Sequence, residues 1–528
     1  MKNNLLREPP TGVRFVNRRS LPVWRASCRL AVVAVAGLAA AVLIATGTTG
    51  CADMSGIAPQ ASLRDASSLG LATSPSAIAS ADVSVDISAS WWRDFGDEQL
   101  NQAIAQALQT SPTLRMAQAR LARAQAVTEV ADAATLPQLS GQIDTTRQRY
   151  TANSAVPPPL AGSVRNSATA QLSAGWELDF FGKNRAALDA ALGSAHAAEA
   201  DAQAARVLLA SQVARTYFQL LRLNEQALVA RRTLAQREET LQLVQDRVNA
   251  GLDTRLELRQ SEGSLPEARL QLEAIQEQLA LTHHALAALT GQAADASALS
   301  PPNNRLQQAL PALSAVKQIA LATRIPADLL GRRADISAAR WRVEASSNDV
   351  VNAKTQFYPN VNLVAFTGFS SIGLNRLVES GSQQWGAGPA LRLPIFDAGR
   401  LRANLRGKTA DLDAAVESYN SAVVDAVRDV ADQLTSMQAI SRQQVEQRAA
   451  QQAAEDAHDI AVQRYKAGLG NYLNVLTAET SVLVQRRQAV DLSARTLDTQ
   501  VALIRALGGG YRSGTAETLQ ATVSLPKK

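Results

Sequence analysis

The stretch RVNAGLDTRLELRQSE at residues 247–262 returns 217 residues later as RYKAGLGNYLNVLTAE at residues 464–479. The same offset relates the glycines that precede these stretches, Gly182 and Gly399. An internal repeat of this length indicates a duplicated architecture. Two tandem units of about 200 residues each would occupy most of the chain, so one repeated fold is favoured over several unrelated domains.

Each quoted stretch contains the turn between two long helical segments. Residues 183–250 include no proline and one glycine over 68 positions, and residues 400–467 have the same length and pattern. Both are rich in Ala, Leu, Gln, Glu and Arg, which is typical of closely packed helices. After the turn, each unit returns through about 39 residues to Gly291 or Gly508. Each unit is therefore predicted to form a helix of roughly 100 Å, a Gly-Leu turn and a returning helix.

Ahead of each long helix, the apolar residues change from helical to alternating spacing. Helical spacing runs from Trp91 to Leu136 and from Asp335 to Phe357, and a proline ends each run. Beyond these prolines, apolar residues alternate with mostly polar ones. The pattern predicts four two-faced strands. They are expected near residues 139–150, 168–180, 361–369 and 385–395.

The positive charge of the chain is confined to its N-terminus. Residues 1–50 contain seven Lys and Arg and one acidic residue, whereas the remainder has 46 basic and 46 acidic residues. A neutral remainder gives no electrostatic basis for nucleic-acid binding. An apolar run from Leu30 to about Ile44 follows the basic residues, and its length is typical of an export signal rather than a membrane span.

The signal ends in Thr48-Thr49-Gly50-Cys51, which resembles a bacterial lipoprotein cleavage box. Cys51 would be the only cysteine of the mature chain, because Cys28 lies within the signal. The resemblance implies a covalent N-terminal lipid on Cys51, and the alternative is an ordinary export signal with an incidental thiol. Ala52 is not the Asp associated with inner-membrane retention, so a lipid-anchored protein of the cell outer membrane is expected.

The repeat and the signal together divide the chain into five segments. Residues 51–90 are rich in Ser, Ala, Gly and Asp and show no periodicity, so they are predicted to be a tether. The predicted segments are the signal peptide 1–50, the tether 51–90, the first repeat 91–300, the second repeat 301–511 and a C-terminal tail 512–528.

Four alternating strands per chain are too few to close a membrane barrel, because the smallest known barrels need about eight. An open sheet would leave unpaired edges in lipid, which is prohibitive. We therefore expect symmetric association in which three chains supply twelve strands. The expected fold is mainly α with a small β portion, with a strand hairpin and a long helical hairpin in each repeat. In the trimer, a twelve-stranded β-barrel would continue into an α-helical barrel.

Six short motifs, in order along the chain, resemble those of one known family. They are WRDFGD at 92–97, LLGRRADI at 329–336, FYP at 357–359, LPIFDAG at 393–399, RYKAGL at 464–469 and ALGGGY at 506–511. The chain resembles the TolC-like outer-membrane efflux channels, specifically the lipid-anchored NodT-type branch that serves resistance-nodulation-division pumps. The resemblance implies a homotrimeric passive conduit with a periplasmic helical portion. It would dock an inner-membrane pump through a periplasmic adaptor and export drugs or other small toxic compounds.

The resemblance also assigns a gate, because the inner helices of the family converge near the periplasmic tip. The matching positions in this sequence are Tyr472, Leu473, Asn474, Leu476 and Thr477, with Leu256 and Glu257 as first-repeat counterparts. Leu473 takes the apolar ring position, and a hydrophobic constriction can gate by dewetting. The alternative is that Leu473 serves only helix packing. Asn474 and Thr477 replace residues that are often Asp in relatives, which predicts weaker cation selectivity.

The turns themselves are expected to cap their helices and to meet the adaptor. These adaptor-facing tips are Gly251, Leu252, Asp253 and Thr254 in the first repeat and Gly468, Leu469, Gly470 and Asn471 in the second. Arg332, Arg333 and Asp335 are expected to form a salt-bridged helix start, with Asp335 as the cap.

No pattern in the sequence indicates catalysis. His196, His283, His284 and His458 lack metal-site spacing, and no phosphate-binding loop, nucleophile elbow or paired catalytic carboxylate occurs in its required context. We therefore expect neither an enzyme nor a cofactor other than the lipid. Two alternatives remain: the same fold serving protein secretion, and, less favoured, a periplasmic adaptor or structural coiled coil. An adaptor would have one helical hairpin, whereas this chain predicts two.

Overall fold

The computed structural model describes residues 54–64, 87–153, 155–292, 310–319 and 331–512. The predicted signal peptide, Cys51 and almost all of the predicted tail lie outside the described residues. Within the described part, the chain is mainly helical with one small sheet, as the sequence predicts. A search of these described helices finds none that is both long and apolar enough to cross a membrane.

The helices and strands of the described part reproduce the repeat. They are α1 Glu98–Thr110, α2 Pro112–Ala133, β1 Gln138–Arg149, β2 Val164–Leu178, α3 Lys183–Asn249, α4 Arg255–Leu289, α5 Ala334–Thr355, β3 Asn360–Ile372, β4 Gln383–Arg392, α6 Arg400–Lys466 and α7 Tyr472–Ala506. The long helices α3 and α6 have 67 residues each, and the returning helices α4 and α7 have 35 each. The two predicted helical hairpins are therefore present and equal in length.

Two local expectations are wrong. The helical run from Trp91 to Leu136 is interrupted, because Ser111 precedes Pro112 and adopts an extended conformation that ends α1. Asp335 is not the cap of α5: the helix begins at Ala334, and Arg333 holds the extended cap position. Asp335 instead lies in the first turn and pairs with Arg333: Arg333 Nη2 lies 2.7 Å from Asp335 Oδ2.

The four predicted strands form one antiparallel sheet in the order β1-β2-β3-β4. Ala170 lies opposite both Ile143 and Phe369, and Thr367 lies opposite Trp385. Because directly opposed residues share a face, this register places most of the apolar positions of the four strands on one side. That side carries Leu139, Ile143, Ala168, Ala170, Leu172, Ala174, Trp176, Leu178, Val361, Leu363, Ala365, Phe369, Trp385, Pro389 and Leu391.

The main hydrophobic core lies midway along the long helices, where the N-terminal helices pack on α3 and α7. Trp91 and Phe95 are buried there, and the Phe95 ring meets Phe218 edge to face at 5.1 Å. Asp97 caps α1 and accepts a 2.7 Å hydrogen bond from the Tyr217 hydroxyl. Burial and this hydrogen bond raise the pKa of Tyr217. The WRDFGD motif is thus a core and capping motif.

Part of the predicted tether is docked on the molecule. The backbone N–H groups of Gln60 and Ala61 donate to Asp413 Oδ1 at 2.9 and 3.0 Å, and that of Arg64 donates to Asn420 Oδ1 at 2.9 Å. All of these acceptors lie on α6. Residues 54–64 therefore follow the surface of α6, although their sequence has no periodicity to predict it.

Candidate functional site

The two helical tips are built by the same backbone geometry. In the first, the N–H of Leu252 donates to Arg247 O at 2.9 Å, and in the second that of Leu469 donates to Arg464 O at 2.8 Å. The glycine before each leucine has a left-handed φ, 74° and 75° respectively. This is the Schellman arrangement, in which glycine terminates a helix without a Cβ penalty. The repeated Gly-Leu pair is therefore explained as a helix cap.

The returning helices begin with different caps. Thr254 and Glu257 form a reciprocal capping box: the N–H of Leu256 donates to Thr254 Oγ1 at 3.1 Å, and that of Thr254 donates to Glu257 Oε2 at 3.0 Å. Hydrogen bonds from Thr254 lower the pKa of Glu257. In the second tip, Asn471 Oδ1 accepts from the N–H of Asn474 at 3.2 Å. The carboxylate of Glu257 is thus committed to its own helix start.

The predicted gate residues do not share one environment. Leu473 and Leu256 are 51% and 63% exposed in the single chain, and Asn474 and Thr477 are exposed beside Leu473. Leu476 is half-buried. The Tyr472 side chain is only 1% exposed. The structure therefore brings Leu473, Asn474 and Thr477 to the surface of α7, and it places Tyr472 beneath them.

Tyr472 belongs to a small apolar core that joins the two tips. Its ring lies 6.1 Å from that of Tyr465, and Val244 and Val475 complete the buried cluster. Val244 comes from α3, whereas the other three come from the second hairpin. The tips are consequently packed against each other within one chain.

A polar contact, which we name the tip lock, connects the same two tips. It consists of Arg247, Asp253 and Tyr465. Arg247 Nε and Nη2 donate to the two carboxylate oxygens of Asp253 at 3.0 and 3.3 Å, and the Tyr465 hydroxyl donates to Asp253 Oδ2. The Arg247 guanidinium also lies 4.6 Å from the centre of the Tyr465 ring. A bidentate ion pair and a cation–π contact therefore meet at one tyrosine of the other hairpin.

The electrostatics of the tip lock favour its charged, assembled form. Burial opposes ionisation of Asp253, but the hydrogen bonds from Arg247 and Tyr465 outweigh it and lower the pKa of Asp253. Burial and the hydrogen bond to Asp253 raise the pKa of Tyr465, so its hydroxyl remains a donor well above neutral pH. The hydrogen bond to Asp253 likewise raises the pKa of Arg247.

Above the tips, a row of ion pairs joins α3 to α7. Arg215 pairs with Asp498, with Nε at 2.5 Å from Oδ1, and Arg222 Nη1 lies 3.0 Å from Asp491 Oδ1. The residue numbers rise along α3 from Arg215 to Arg222 and fall along α7 from Asp498 to Asp491, because the two helices are antiparallel. The two hairpins are therefore connected along their length as well as at the tips.

Asp253 is among the tip residues predicted from the sequence, but its partners Arg247 and Tyr465 are not. Tyr465 is 212 residues from Asp253, and no local pattern links residues so far apart. One signal was available in the repeat: Asp253 corresponds to Gly470, and Tyr465 corresponds to Val248. Two of the three lock residues, Asp253 and Tyr465, thus lie where the two copies differ, whereas Arg247 is repeated as Arg464. Among the described residues, no group of His, Cys, Asp or Glu is arranged to hold a metal ion.

Comparison with known proteins identifies the family. The model of the outer membrane efflux protein family matches residues 103–292 and 325–509. The chain is 38% identical to the outer membrane protein VceC of Vibrio cholerae, with a TM-score of 0.74 and coverage of 81% of this chain and 100% of that one.

Two relatives with descriptive names are also similar along most of their length. The multidrug resistance outer membrane protein MdtQ of Escherichia coli O157:H7 is 33% identical over 435 residues, which covers 80% of this chain and 88% of MdtQ. The fusaric acid resistance protein FusA of Burkholderia cepacia is 37% identical over 400 residues, covering 74% and 70% respectively. These matches confirm the resemblance to outer-membrane efflux channels, and the chain belongs to the outer membrane efflux protein family.

Proposed function

We propose that this protein is the outer-membrane channel subunit of a tripartite efflux system. Three copies would form a passive conduit that receives small toxic compounds from an inner-membrane pump and a periplasmic adaptor. Family membership supports export across the outer membrane. The trimer, the barrel and the partners are inferred from the sheet and the helical tips, and the cargo from the named relatives.

The exposed apolar face of the sheet carries the proposal. Ile143 is 82% exposed and Trp385 is 77% exposed, and both lie on the side that collects the apolar positions. In the described part of the chain, β1 and β4 each pair along one edge only. A four-stranded sheet with two open edges and an apolar exterior matches one third of a twelve-stranded barrel in lipid.

A conduit of this kind needs a seal, and the helical tips supply the best candidate. Leu473 is exposed on α7 in the single chain, where three copies around an axis would form an apolar ring. Asn474 and Thr477 are exposed beside it and are uncharged. We therefore assign the gate to Leu473 with support from these neighbours and from Leu256. Weak cation selectivity is expected, because the ring contains no carboxylates.

The exposed ends of the tips are the proposed docking surface for the adaptor. Leu252 and Leu469 project from the two turns and are largely exposed. Because the turns are equivalent in backbone geometry, three chains would present six similar docking positions. An adaptor bound there would lie directly beside the tip lock. Adaptor binding would therefore act on the contacts that hold the two tips together.

A lipid on Cys51 is consistent with the docked N-terminal segment. Met54 packs against the cluster that contains Phe357 and Leu401, close to the junction between the sheet and the long helices. Cys51 is three residues upstream, so an acyl chain there would reach the membrane surface beside the sheet. The mass of the mature N-terminal peptide, increased by a diacylglycerol and an acyl group, would establish this modification.

The relatives named for multidrug and fusaric acid resistance favour small organic compounds as cargo. Deletion of the gene is expected to increase susceptibility to a subset of a panel of toxic compounds, and complementation should restore resistance. A strain with unchanged susceptibility but impaired export of a protein would instead support the secretion alternative. The adaptor alternative is disfavoured, because the chain has two long hairpins and a membrane-type sheet.

A further inference from the structure

The first hairpin contains a break in helical regularity near its tip. Pro266 lies inside α4 and has no N–H, so the carbonyl of Glu262 loses its helical donor. Gly263 adds backbone freedom next to this site. The Ser264 hydroxyl donates back to Ser261 O at 2.8 Å, a contact of the kind that bends helices. Three features that weaken a helix therefore occur within a few residues.

The second hairpin lacks this combination. At the offset of 217 residues, Thr480 corresponds to Gly263 and Leu483 corresponds to Pro266. The corresponding segment of α7 therefore contains neither glycine nor proline. Since the two returning helices have equal length, the difference lies in local stiffness rather than in architecture.

A buried arginine contacts the break directly. Arg237 of α3 is 8% exposed, and its Nη1 donates to Ser264 O at 2.7 Å. Its Nε lies 3.4 Å from Oε1 of Glu479 on α7, which is 9% exposed. A buried guanidinium without a counter-charge is strongly unfavourable. The proline-containing segment of α4 is thus connected through one side chain to the opposite hairpin.

Arg237 is also specific to the first hairpin, because its counterpart in the repeat is Ala454. The arginine and the proline are therefore two departures from the repeat, and the arginine binds the backbone two residues before the proline. Ser261, next to the break, is completely buried, and its hydroxyl has no hydrogen-bond partner among the described residues. The polar packing at this level is consequently less complete than in the ordinary helix interior.

We propose that Gly263–Pro266 is a hinge in α4, and that Arg237 and Glu479 form the clamp that holds it against α7. When the clamp opens, Arg255–Glu262 moves as a unit and carries Leu256 away from the second hairpin. Helix α7 moves as an unbroken rod. The role of this motion in channel opening rests on the proposed function, whereas the hinge is a property of the helix itself.

Hydrogen exchange measured on the full-length trimer tests the hinge. In the wild-type protein, amides of residues 257–265 should exchange faster than those of residues 474–482. Pro266→Ala restores the missing donor, so it should slow exchange at 257–265 by about threefold or more and leave α7 unchanged. Glu479→Gln removes the charge with little change in shape and should speed exchange at 257–265.

The matched control is the exposed ion pair between Arg269 of α4 and Glu238 of α3. Arg269 Nη2 lies 3.4 Å from Glu238 Oε1. Arg269→Gln should leave exchange at 257–265 unchanged. Equal exchange in the two hairpins, or no response to Pro266→Ala, would overturn the hinge. If Glu479→Gln speeds exchange throughout the chain, Glu479 is a general core stabiliser and the clamp is wrong.

Single-channel recording separates the hinge from the proposed function. Glu479→Gln should raise the fraction of time spent in conducting states, and Pro266→Ala should lower it. Absence of conductance from every variant and from the wild type would contradict the channel function but not the hinge. Conductance that is identical in all variants, together with altered exchange, would overturn the role of the hinge in opening.

Discussion

At the scale of single residues, the tip lock concentrates three favourable contacts on Asp253. The Tyr465 hydroxyl is the only one of these donors that comes from the second hairpin. Tyr465→Phe keeps the aromatic packing but removes this donor, and a hydrogen bond to a charged group contributes about 1.5–3 kcal/mol. We expect the open probability of the proposed trimer in planar bilayers to rise on the order of tenfold.

Tyr472→Phe is the appropriate comparison for this variant, because Tyr472 contacts Tyr465 through its ring in the same buried cluster. It should have little effect on open probability. Equal behaviour of Tyr465→Phe and the wild-type protein would show that the tip lock does not restrain the tips.

The pH dependence of the tip lock follows from the lowered pKa of Asp253. Protonation favours the state in which this carboxyl has its ordinary pKa, 3.8, and therefore favours the released tip. The stabilisation is fully present above that value and is lost as pH falls through the lower pKa of the locked state. Leak current should be constant from about pH 7 to 5 and rise only below about pH 4. A rise between pH 7 and 5 would contradict this assignment.

Leu473 provides the direct test of the apolar gate. Leu473→Ala shortens the side chain at the proposed ring, so the constriction should widen and the basal conductance of the proposed trimer should increase. Leu256→Ala alters the first-repeat counterpart and should have a smaller effect, since the inner ring is assigned to α7. Unchanged leak in Leu473→Ala would leave Leu473 with a packing role alone.

At the scale of elements, the C-terminal glycines of α7 fix how the second hairpin meets the rest of the chain. Gly508 has a φ of 103°, and a Cβ there would lie 1.9 Å from Arg332 O. Gly508→Ala should therefore destabilise the protein by about 3 kcal/mol through strain and overlap. Thermal denaturation of the purified protein should show a clear decrease in Tm.

Gly407 is the matched glycine for this measurement. It lies in the interior of α6, and an added Cβ would meet no other atom within 4 Å. Gly407→Ala should be neutral or stabilise by up to about 1 kcal/mol, because alanine is the better helix former. Similar destabilisation by both substitutions would show that the close approach at Gly508 is not responsible.

The long elements were predictable because glycine and proline mark their ends. Gly182, Gly251, Gly399 and Gly468 all have left-handed φ and stand at helix boundaries. The strands were predictable because most of their apolar residues recur at period two. In contrast, the tip lock and the docking of residues 54–64 depend on contacts between residues hundreds of positions apart. Local sequence carries no record of such contacts, so only the structure reveals them.

At the scale of the whole molecule, the orientation of the sheet is the feature most open to test. Ile143 and Gln142 are neighbours on β1, both are exposed in the single chain, and they point to opposite faces. If the apolar face meets lipid, Ile143→Arg should cost about 2–4 kcal/mol near the membrane midplane. The variant should yield little heat-modifiable trimer in purified outer membranes.

Gln142→Arg introduces the same charge on the other face and should assemble normally, because that face would line water. Equal trimer yield from the two variants would contradict a lipid-facing apolar side. Loss of trimer from Gln142→Arg alone would indicate that the face carrying Gln142, and not the apolar face, meets lipid.

The central pairing of the sheet constrains how the chain is delivered and assembled. Strands β2 and β3 are neighbours, yet 181 residues separate Leu178 from Asn360. Pairing over such a sequence distance is slow, because loop closure must precede any gain from contact. During export, the β1–β2 hairpin therefore has no β3 to pair with, and its apolar side stays uncovered, until the whole first helical hairpin has been translocated. The duplication that gives the sheet its four strands therefore also lengthens the interval during which its first two strands remain uncovered.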